Sequence, residues 1–324
     1  MKDILVVGGA GYIGSHVVLD LKNNGYNPII FDNLSEGHKE AVTGNEFVLG
    51  DIINTNALNN VFKKYKIEAV MHFSAFAYVG ESVENPEKYY QNNVSATINL
   101  LSSMLKYNIK KFIFSSSCAT YGIPEYIPID EKHPQKPINP YGNTKLIVEN
   151  ILKDYSNAYN LKYIALRYFN AAGAHPNAQI GESHRIETHL IPLVLKTLTK
   201  EKESVSILGT DYNTPDGTCI RDYIHVCDLA RAHRNALELI LSGSDSINLN
   251  LGTGVGVSVQ EIISVCEKVT GLKVPVIKAG RRTGDPPSLV AANDYAKKII
   301  NFNPEFDICE TIKTAWEWEK NKKY

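Results

Sequence analysis

The sequence predicts an α/β protein: a doubly wound parallel sheet with a second, smaller mixed α/β lobe. Three observations predict it. Short β-branched apolar runs recur as far as Leu166, each bounded by Gly, Asn, Asp or Ser. The gaps between them are long enough for a crossover helix. The first run leads straight into closely spaced glycines, and beyond Phe169 the texture changes.

In order, the predicted strands of the first lobe are Ile4–Val7, Pro28–Phe31, Phe47–Leu49, Ala69–Phe73, Lys111–Phe114 and Tyr163–Leu166. Strands covered by helices on both faces read as such unbroken apolar runs. Two substantial helices are predicted among them, over Glu87–Tyr107 and Tyr141–Tyr159, the second entered through Pro137-Ile-Asn-Pro140. In the first, Val94, Ile98, Leu101 and Leu105 recur at three- and four-residue spacing and give an apolar stripe. That stripe is read as a packing face, with a dimer interface on the outer sides of the two helices as the alternative. After Phe169, Gly, Pro, His and Asn concentrate in 170–181 and 209–217. Helices are predicted at Leu190–Lys200, Leu229–Leu241, Val259–Thr270, Tyr295–Ile300 and Ile308–Glu319, and strands at Val205–Leu208, Ile247–Leu251 and Val274–Ile277. The division is therefore 1–170 and 171–324.

Composition excludes several classes. With 44% hydrophobic and 21% charged residues, the 324-residue chain has the makeup of a globular protein rather than a disordered or fibrous one. Its net charge of -1 lacks the basic excess that nucleic-acid binding requires. No apolar run approaches the roughly 20 residues of a membrane span, so no membrane partner is expected. Met1-Lys2-Asp3 opens no signal-peptide pattern, and five cysteines without Cys-x-x-Cys spacing fit reduced thiols, so a cytoplasmic location is expected.

Chemistry concentrates in a few places. The first strand ends in Gly8-Gly9-Ala10-Gly11-Tyr12-Ile13-Gly14 and opens a predicted helix. Glycines so spaced allow a tight turn, close approach of backbone to a pyrophosphate and close helix-to-strand packing. The second strand ends in Asp32, an acidic group placed to take adenosine ribose hydroxyls, and the combination predicts a Rossmann dinucleotide site. A carboxylate there repels a 2′-phosphate, which favours NAD over NADP. Asp51 and Ile52, after the third strand, either flank the adenine or make a polar turn; spacing does not choose.

Tyr141 and Lys145 stand at i and i+4, on one face of a helix. A lysine charge about 5 Å from a phenol, at an effective dielectric near 20, favours the phenolate by roughly 3 kcal/mol. Such a tyrosine can serve as a base near neutral pH. The fifth strand ends in Ser115-Ser116-Ser117-Cys118, and strand C-termini are where ligands bind in open α/β sheets; spacing does not choose among the serines. Cys118 is read as a small buried thiol rather than a nucleophile. His184 and His189 are five residues apart, the wrong spacing for one helix face, and lack an obvious third ligand, so no metal is predicted. Arg221 and Arg282, set among Gly, Pro and aromatic residues, suit a diphosphate, with ordinary surface arginines as the alternative.

These motifs, with Val79-Gly-Glu-Ser82, Phe112-Ile-Phe-Ser-Ser-Ser117, Leu166-Arg-Tyr-Phe-Asn170, Gly173-Ala-His-Pro176, Asp216-Gly217, Arg221-Asp-Tyr-Ile-His225, Arg281-Arg282 and Gly284-Asp285, carry a resemblance over essentially the whole chain. The sequence resembles the UDP-glucose (UDP-galactose) 4-epimerases of the extended short-chain dehydrogenase/reductase family. The resemblance implies an NAD-dependent isomerase that inverts C4 of a UDP-hexose through a 4-keto intermediate, acting as a homodimer. It implies Tyr141 as base, Lys145 as its electrostatic partner and ribose contact, and Ser117 as the hydroxyl beside the sugar 4-OH. Gly8, Gly11, Tyr12, Ile13, Gly14, Asp32, Asn33, Asp51, Ile52, Phe73, Asn92 and Tyr168 are placed around NAD. Asn170, His189, Leu190, Arg221, Arg282 and Asp285 are placed around the uridine diphosphate. By the same analogy part of 221–255 returns to the sheet lobe.

Two departures from the family pattern stand out. Ala77 occupies the place where family members carry a lysine near the pyrophosphate. Leu289 stands where sugar-restricted members carry a tyrosine, which leaves room for an N-acetyl group and makes a dedicated or bifunctional UDP-N-acetylglucosamine 4-epimerase the alternative. A sugar-nucleotide dehydratase or decarboxylase fits less well, since Cys118-Ala119 occupies the place of the acid pair a dehydratase needs. A non-catalytic NAD-binding regulator has no need of Tyr141, Lys145 and Ser117 together.

Overall fold

The structure is a computed structural model that describes residues 1–282 and 284–324. Along the chain run β1 (Asp3–Val7), α1 (Tyr12–Asn23), β2 (Asn27–Asp32), β3 (Glu46–Leu49), α2 (Thr55–Lys64), β4 (Ile67–His72), α3 (Val79–Glu84), α4 (Pro86–Tyr89), α5 (Ala96–Lys106), β5 (Lys111–Ser117), α6 (Pro140–Tyr159), β6 (Lys162–Tyr168) and β7 (Asn170–Ala172). They continue with α7 (Leu190–Leu198), β8 (Val205–Leu208), β9 (Ile220–His225), α8 (Val226–Leu241), β10 (Ile247–Leu251), β11 (Gly256–Ser258), α9 (Val259–Thr270), β12 (Val276–Ala279), β13 (Ser288–Leu289), α10 (Asp294–Ile300) and α11 (Ile308–Lys320).

Two compact units emerge. The first comprises Met1–Gly122, Gln135–Arg167 and Ala230–Leu249. It carries a seven-stranded sheet in the order β10-β6-β5-β4-β1-β2-β3, a Rossmann-type arrangement. β1 pairs in parallel with β2 on one side and β4 on the other, bringing Val7 beside both Phe31 and His72. The winding therefore reverses at β1, and ligands of such sheets bind beyond the strand C-termini at that point. The core of this unit includes Leu5, Val7, Ile29, Phe31, Val70, Phe112 and Phe114 from strands, and Leu100, Met104, Val148 and Leu152 from helices. Burying each such side chain contributes about 1.5–3 kcal/mol.

The helix predicted over 87–107 is interrupted. Residues Tyr90–Ser95 form a π turn between α4 and α5. A π turn holds an extra residue, so periodicity counted through it at α spacing loses register. The buried face of α5 is accordingly Ala96, Thr97, Leu100, Leu101 and Met104. Of the predicted stripe, Leu101 is buried, while Ile98 is 37% exposed.

The second unit comprises Ile123–Pro134, Tyr168–Leu229 and Asn250–Tyr324. Its four-stranded sheet has β9 at the centre, with β11 antiparallel to it and β7 and β13 parallel; β8 and β12 form a separate parallel pair. The third strand predicted in this half, Val274–Ile277, begins two residues later in the structure, because Pro275 cannot donate to a ladder. Ile191, Val194, Leu195, Ile207, Ile262, Cys266 and Ile312 form its core. Asp222 is the polar hub: its carboxylate accepts from Thr253 N (2.7 Å), Thr253 Oγ1 (2.8 Å), Gly254 N (3.0 Å) and Ala291 N (3.1 Å).

Candidate active site

In the first unit the glycine turn folds as its spacing requires. Gly8 has φ +76°, and a Cβ there would come within 2.5 Å of Ser74 N, just past β4; a Cβ on Gly14 would collide with the Gly8 carbonyl. Gly11 is the N-cap of α1, and Tyr12 and Ile13 begin the helix. The turn thus presents backbone N–H groups at a helix N-terminus, an anion site. Asp32 ends β2 almost fully buried, its carboxylate accepting from Ala10 N (2.9 Å) and Leu34 N (2.8 Å). Burial pushes its carboxyl up, opposed by those two bonds. Asp32, Asn33, Asp51 and Ile52 line one small pocket with Val7, Phe31, Gly50 and Ser74. Asn33 donates to Asp51 at 2.7 Å, and Asp51 also holds Ile53 N at 2.8 Å. Asp51 is therefore both a pocket wall and a turn-former, so the two sequence readings coexist.

Phe73 follows β4, bonded through its N–H to the Val7 carbonyl at 2.8 Å. Asn92, in the π turn, donates to Asn93 at 2.9 Å. Asn93 is the buried member of the pair and holds Phe76 N and O and Thr144 Oγ1 at 3.0 to 3.1 Å. It fixes the 74–78 loop to α6, a role the sequence reading did not assign.

Helix α6 places the tyrosine and lysine. Asn139 caps it by accepting Gly142 N at 2.8 Å, and Pro140 occupies the first helical position, where no N–H is needed. Tyr141 therefore sits in the first turn, where the helix dipole favours an anion. Lys145, one turn on, is 4% exposed, donates to the Ser115 carbonyl at 2.8 Å and lies 5.8 Å from the Tyr141 ring centre. Burial pushes the Lys145 ammonium down to about 7, against the charge of Glu149. The sequence argument took this lysine as fully charged; in the folded chain its charge is itself poised near neutrality.

The three serines differ. Ser116 donates to Glu149 at 2.5 Å, and the Ser115 carbonyl holds Lys145. The Ser117 hydroxyl accepts from Ala119 N at 3.1 Å, and among the described residues no acceptor takes its hydrogen. Cys118 is half-exposed rather than buried, because it lies in the short turn that follows β5.

Sequence reasoning missed the residues beneath this site. Glu149, one further turn along the face of Tyr141 and Lys145, forms a buried forked ion pair with Arg167 (2.6 to 3.2 Å), and Arg167 also donates to the Tyr121 hydroxyl at 2.9 Å. The i, i+4, i+8 spacing was the available signal. His72 is also buried, bonded to Thr97 at 2.9 Å, with burial and the Lys145 charge holding it down at about 3, hence neutral.

The residue types and conformations present fit a dinucleotide: a glycine turn that no side chain could enter, a buried carboxylate and a lined pocket at the sheet's switch point. The family model for the NAD dependent epimerase/dehydratase family matches residues 4–252. The chain belongs to that family, in its UDP-glucose 4-epimerase branch. It is 50% identical to the UDP-glucose 4-epimerase of Rhizobium leguminosarum bv. trifolii over 317 residues, covering 98% of this chain and 97% of the relative. The crystal structure of the UDP-glucose 4-epimerase from Brucella ovis in complex with NAD superposes with a TM-score of 0.96 at 49% identity, covering 98% of both chains. That from Bifidobacterium longum, in complex with NAD+ and UDP, gives 0.95 at 38% identity, covering 99% of both.

The second unit holds the remaining predicted residues of this family member. Tyr168 ends β6 and Asn170 begins β7, opposite Tyr223. Arg221, on β9, is 12% exposed in its side chain and donates to the Ile220 and Pro286 carbonyls (2.8 and 3.0 Å) and to Asp285 (3.4 Å). Arg282 grips the same carboxylate with two bonds of 2.8 and 2.9 Å. Two guanidinium groups thus share one carboxylate and retain a net positive charge. Leu289 pairs with Arg221 across β13 and β9. His189 is the N-cap of α7, and Leu190 is its first residue.

One expectation needs correction here. His184 and His189 do have further ligand-type neighbours, since the 182–189 segment is an irregular loop rather than a helix and turns Glu182 and Glu187 toward them. Burial opposes the ionised forms, yet pairing overrides it: the two imidazoles hold Glu182 down at about 2, and Glu182 and Glu187 hold His184 up at about 10.

Proposed function

We propose that this isomerase interconverts UDP-glucose and UDP-galactose by inverting C4, with Tyr141 as the base. Tyr141 and Lys145 on one face of α6, with the tyrosine in the first helical turn, carry the reading. Gly8, Gly11, Gly14 and the start of α1 hold the pyrophosphate of NAD; Asp32 holds the adenosine ribose, and Asn33, Asp51 and Ile52 the adenine. NAD held there would supply a reversible two-electron oxidant for C4, which makes the overall inversion redox-neutral.

Tyr141 takes the proton of the 4-hydroxyl and later gives it back. The first-turn amides and Lys145 stabilise the phenolate, and Lys145 would also hold the ribose of NAD. Ser117 orients the 4-oxygen and relays its proton. Asn170, His189, Leu190, Arg221, Arg282 and Asp285 hold the uridine diphosphate while the 4-keto sugar turns its other face. Binding energy placed on the nucleotide leaves the sugar free to rotate. Leu289 supports a second reading, acceptance of N-acetylated UDP-hexoses, because it is smaller than the tyrosine of sugar-restricted relatives. A cytoplasmic homodimer joined through the outer sides of α5 and α6 is part of the proposal, supported by the exposed Ile98; sedimentation at the monomer mass would refute it. Among the described residues no helix is long and apolar enough to cross a membrane.

The deciding experiment is conversion of UDP-galactose by purified protein with no added NAD, detecting UDP-glucose by chromatography. Product supports C4 inversion with retained cofactor. No product from protein that yields NAD on extraction overturns the substrate assignment.

A further inference from the structure

Within the second unit, four metal-ligating side chains converge on one point: Glu182, His184, Glu187 and His189 place a donor atom each within 4.8 Å of all the others. Only His189 enters the proposed reaction. The spacing is unsuited to one helix, and the loop solves it by folding back between Gly181 and the start of α7.

The separations bring the donor atoms within reach of one small ion. His184 Nδ1 lies 3.2 Å from Glu182 Oε1 and 3.4 Å from Glu187 Oε2, and His189 Nδ1 lies 3.7 Å from Glu187 Oε1. A tetrahedral ion with ligand bonds of about 2.0–2.2 Å holds neighbouring ligand atoms about 3.3–3.6 Å apart. The His189 Nδ1 to Glu182 Oε1 contact, 2.5 Å, is a hydrogen bond that an ion replaces.

Charge and support agree with this geometry. The Glu182 and Glu187 side chains are 6% and 5% exposed, so their two negative charges need close compensation. One divalent cation held with the two imidazoles supplies it. The Glu187 carboxylate is also held by backbone, and the main chain at Glu182 is anchored to α11. Glu187 Oε1 accepts the N–H groups of Thr188 and His189 at 2.8 Å, and the Glu182 carbonyl accepts Trp318 Nε1 at 2.8 Å. Such outer bonds orient metal ligands. The His189 side chain is 47% exposed, which leaves a way in.

We propose that Glu182, His184, Glu187 and His189 bind a divalent transition-metal ion, with zinc the best match to two imidazoles and two carboxylates in tetrahedral array. Binding fastens the 182–189 loop to the start of α7.

The test uses tag-free, full-length protein treated with a chelator and re-equilibrated with zinc sulfate. Elemental analysis after gel filtration is expected to give one zinc per chain, and zinc is expected to raise the melting temperature. Cobalt substitution is expected to give an intense visible spectrum without a thiolate-to-cobalt band, which separates this site from the five cysteines. Glu187→Gln and His184→Ala are each expected to weaken zinc binding on the order of a hundredfold or more. Failure of wild-type protein to retain zinc overturns the proposal, and so does unchanged uptake in folded variants. A thiolate band in the cobalt spectrum also overturns it, and this readout needs no variant. Zinc uptake is scored without substrate, so its failure is distinct from failure to convert UDP-galactose.

Discussion

The tyrosine–lysine site of the first unit and the arginine cluster of the second handle charge in opposite ways. Around Lys145 the charged groups are sealed in: the lysine is 4% exposed, and the Glu149 and Arg167 side chains beneath it are 3% exposed. Their partners are the Ser115 carbonyl, one another and the side chains of Ser116, Gln135 and Tyr121. In the second unit Arg282 is 59% exposed in its side chain and shares Asp285 with the more buried Arg221. Buried charges are strongly perturbed and rigidly placed, which suits proton transfer at one atom. Exposed arginines keep their charge and their mobility, which suits gripping a flexible diphosphate.

The largest expected break is in the first unit. Tyr141→Phe is expected to lower turnover about 10²- to 10⁴-fold while UDP binding and melting temperature stay near wild type; near-normal turnover removes Tyr141 from its role. Glu149→Gln leaves the Arg167 charge uncompensated in the interior and is expected to cost about 3–5 kcal/mol in denaturant unfolding. A cost below 1 kcal/mol would place that pair with ordinary surface pairs.

A pH experiment sharpens the contrast. Burial pushes Lys145 down to about 7, against 10.5 ordinarily. Between those values the unfolded chain holds the proton more often than the folded one, so this group makes stability rise with pH. Below about 7 both states are protonated, and its full cost is present. Relative to Lys145→Met, wild-type protein is therefore expected to gain stability from about pH 7 to 10.5, measured by urea unfolding; parallel curves would contradict the burial argument.

The second unit should respond in specificity and affinity. Leu289→Tyr is expected to lower conversion of UDP-N-acetylgalactosamine relative to UDP-galactose about tenfold or more, and an unchanged ratio would detach Leu289 from the sugar. Smallest is Arg282→Ala, expected to raise the KM for UDP-galactose by roughly fivefold with kcat and melting temperature little changed, since an exposed ion pair adds about 0–1 kcal/mol.

The local patterns were legible in the sequence for a physical reason: each is set by neighbours a few residues apart. The glycine turn, the alternation of strand and crossover, Asp32 at a strand end and the Tyr141–Lys145 pair all follow from backbone sterics and helical periodicity. Even so, one π turn at Tyr90–Ser95 was enough to move Ile98 off the packed face of α5.

What only the tertiary structure decided depends on contacts between distant segments and on burial. Ile123–Pro134 joins the second unit because Ile129 bonds the backbone of Val290 and Ala292, each at 2.8 Å. Arg221 reaches Asp285, 64 positions along the chain. Ser116 is taken by Glu149, and Lys145 is driven toward neutrality by the core around it. Glu182 and Glu187 join two histidines whose spacing alone argued against them. Sequence spacing specifies which groups share a helix face; desolvation and long-range pairing, which set how those groups are charged and what they can bind, exist only once the chain has folded.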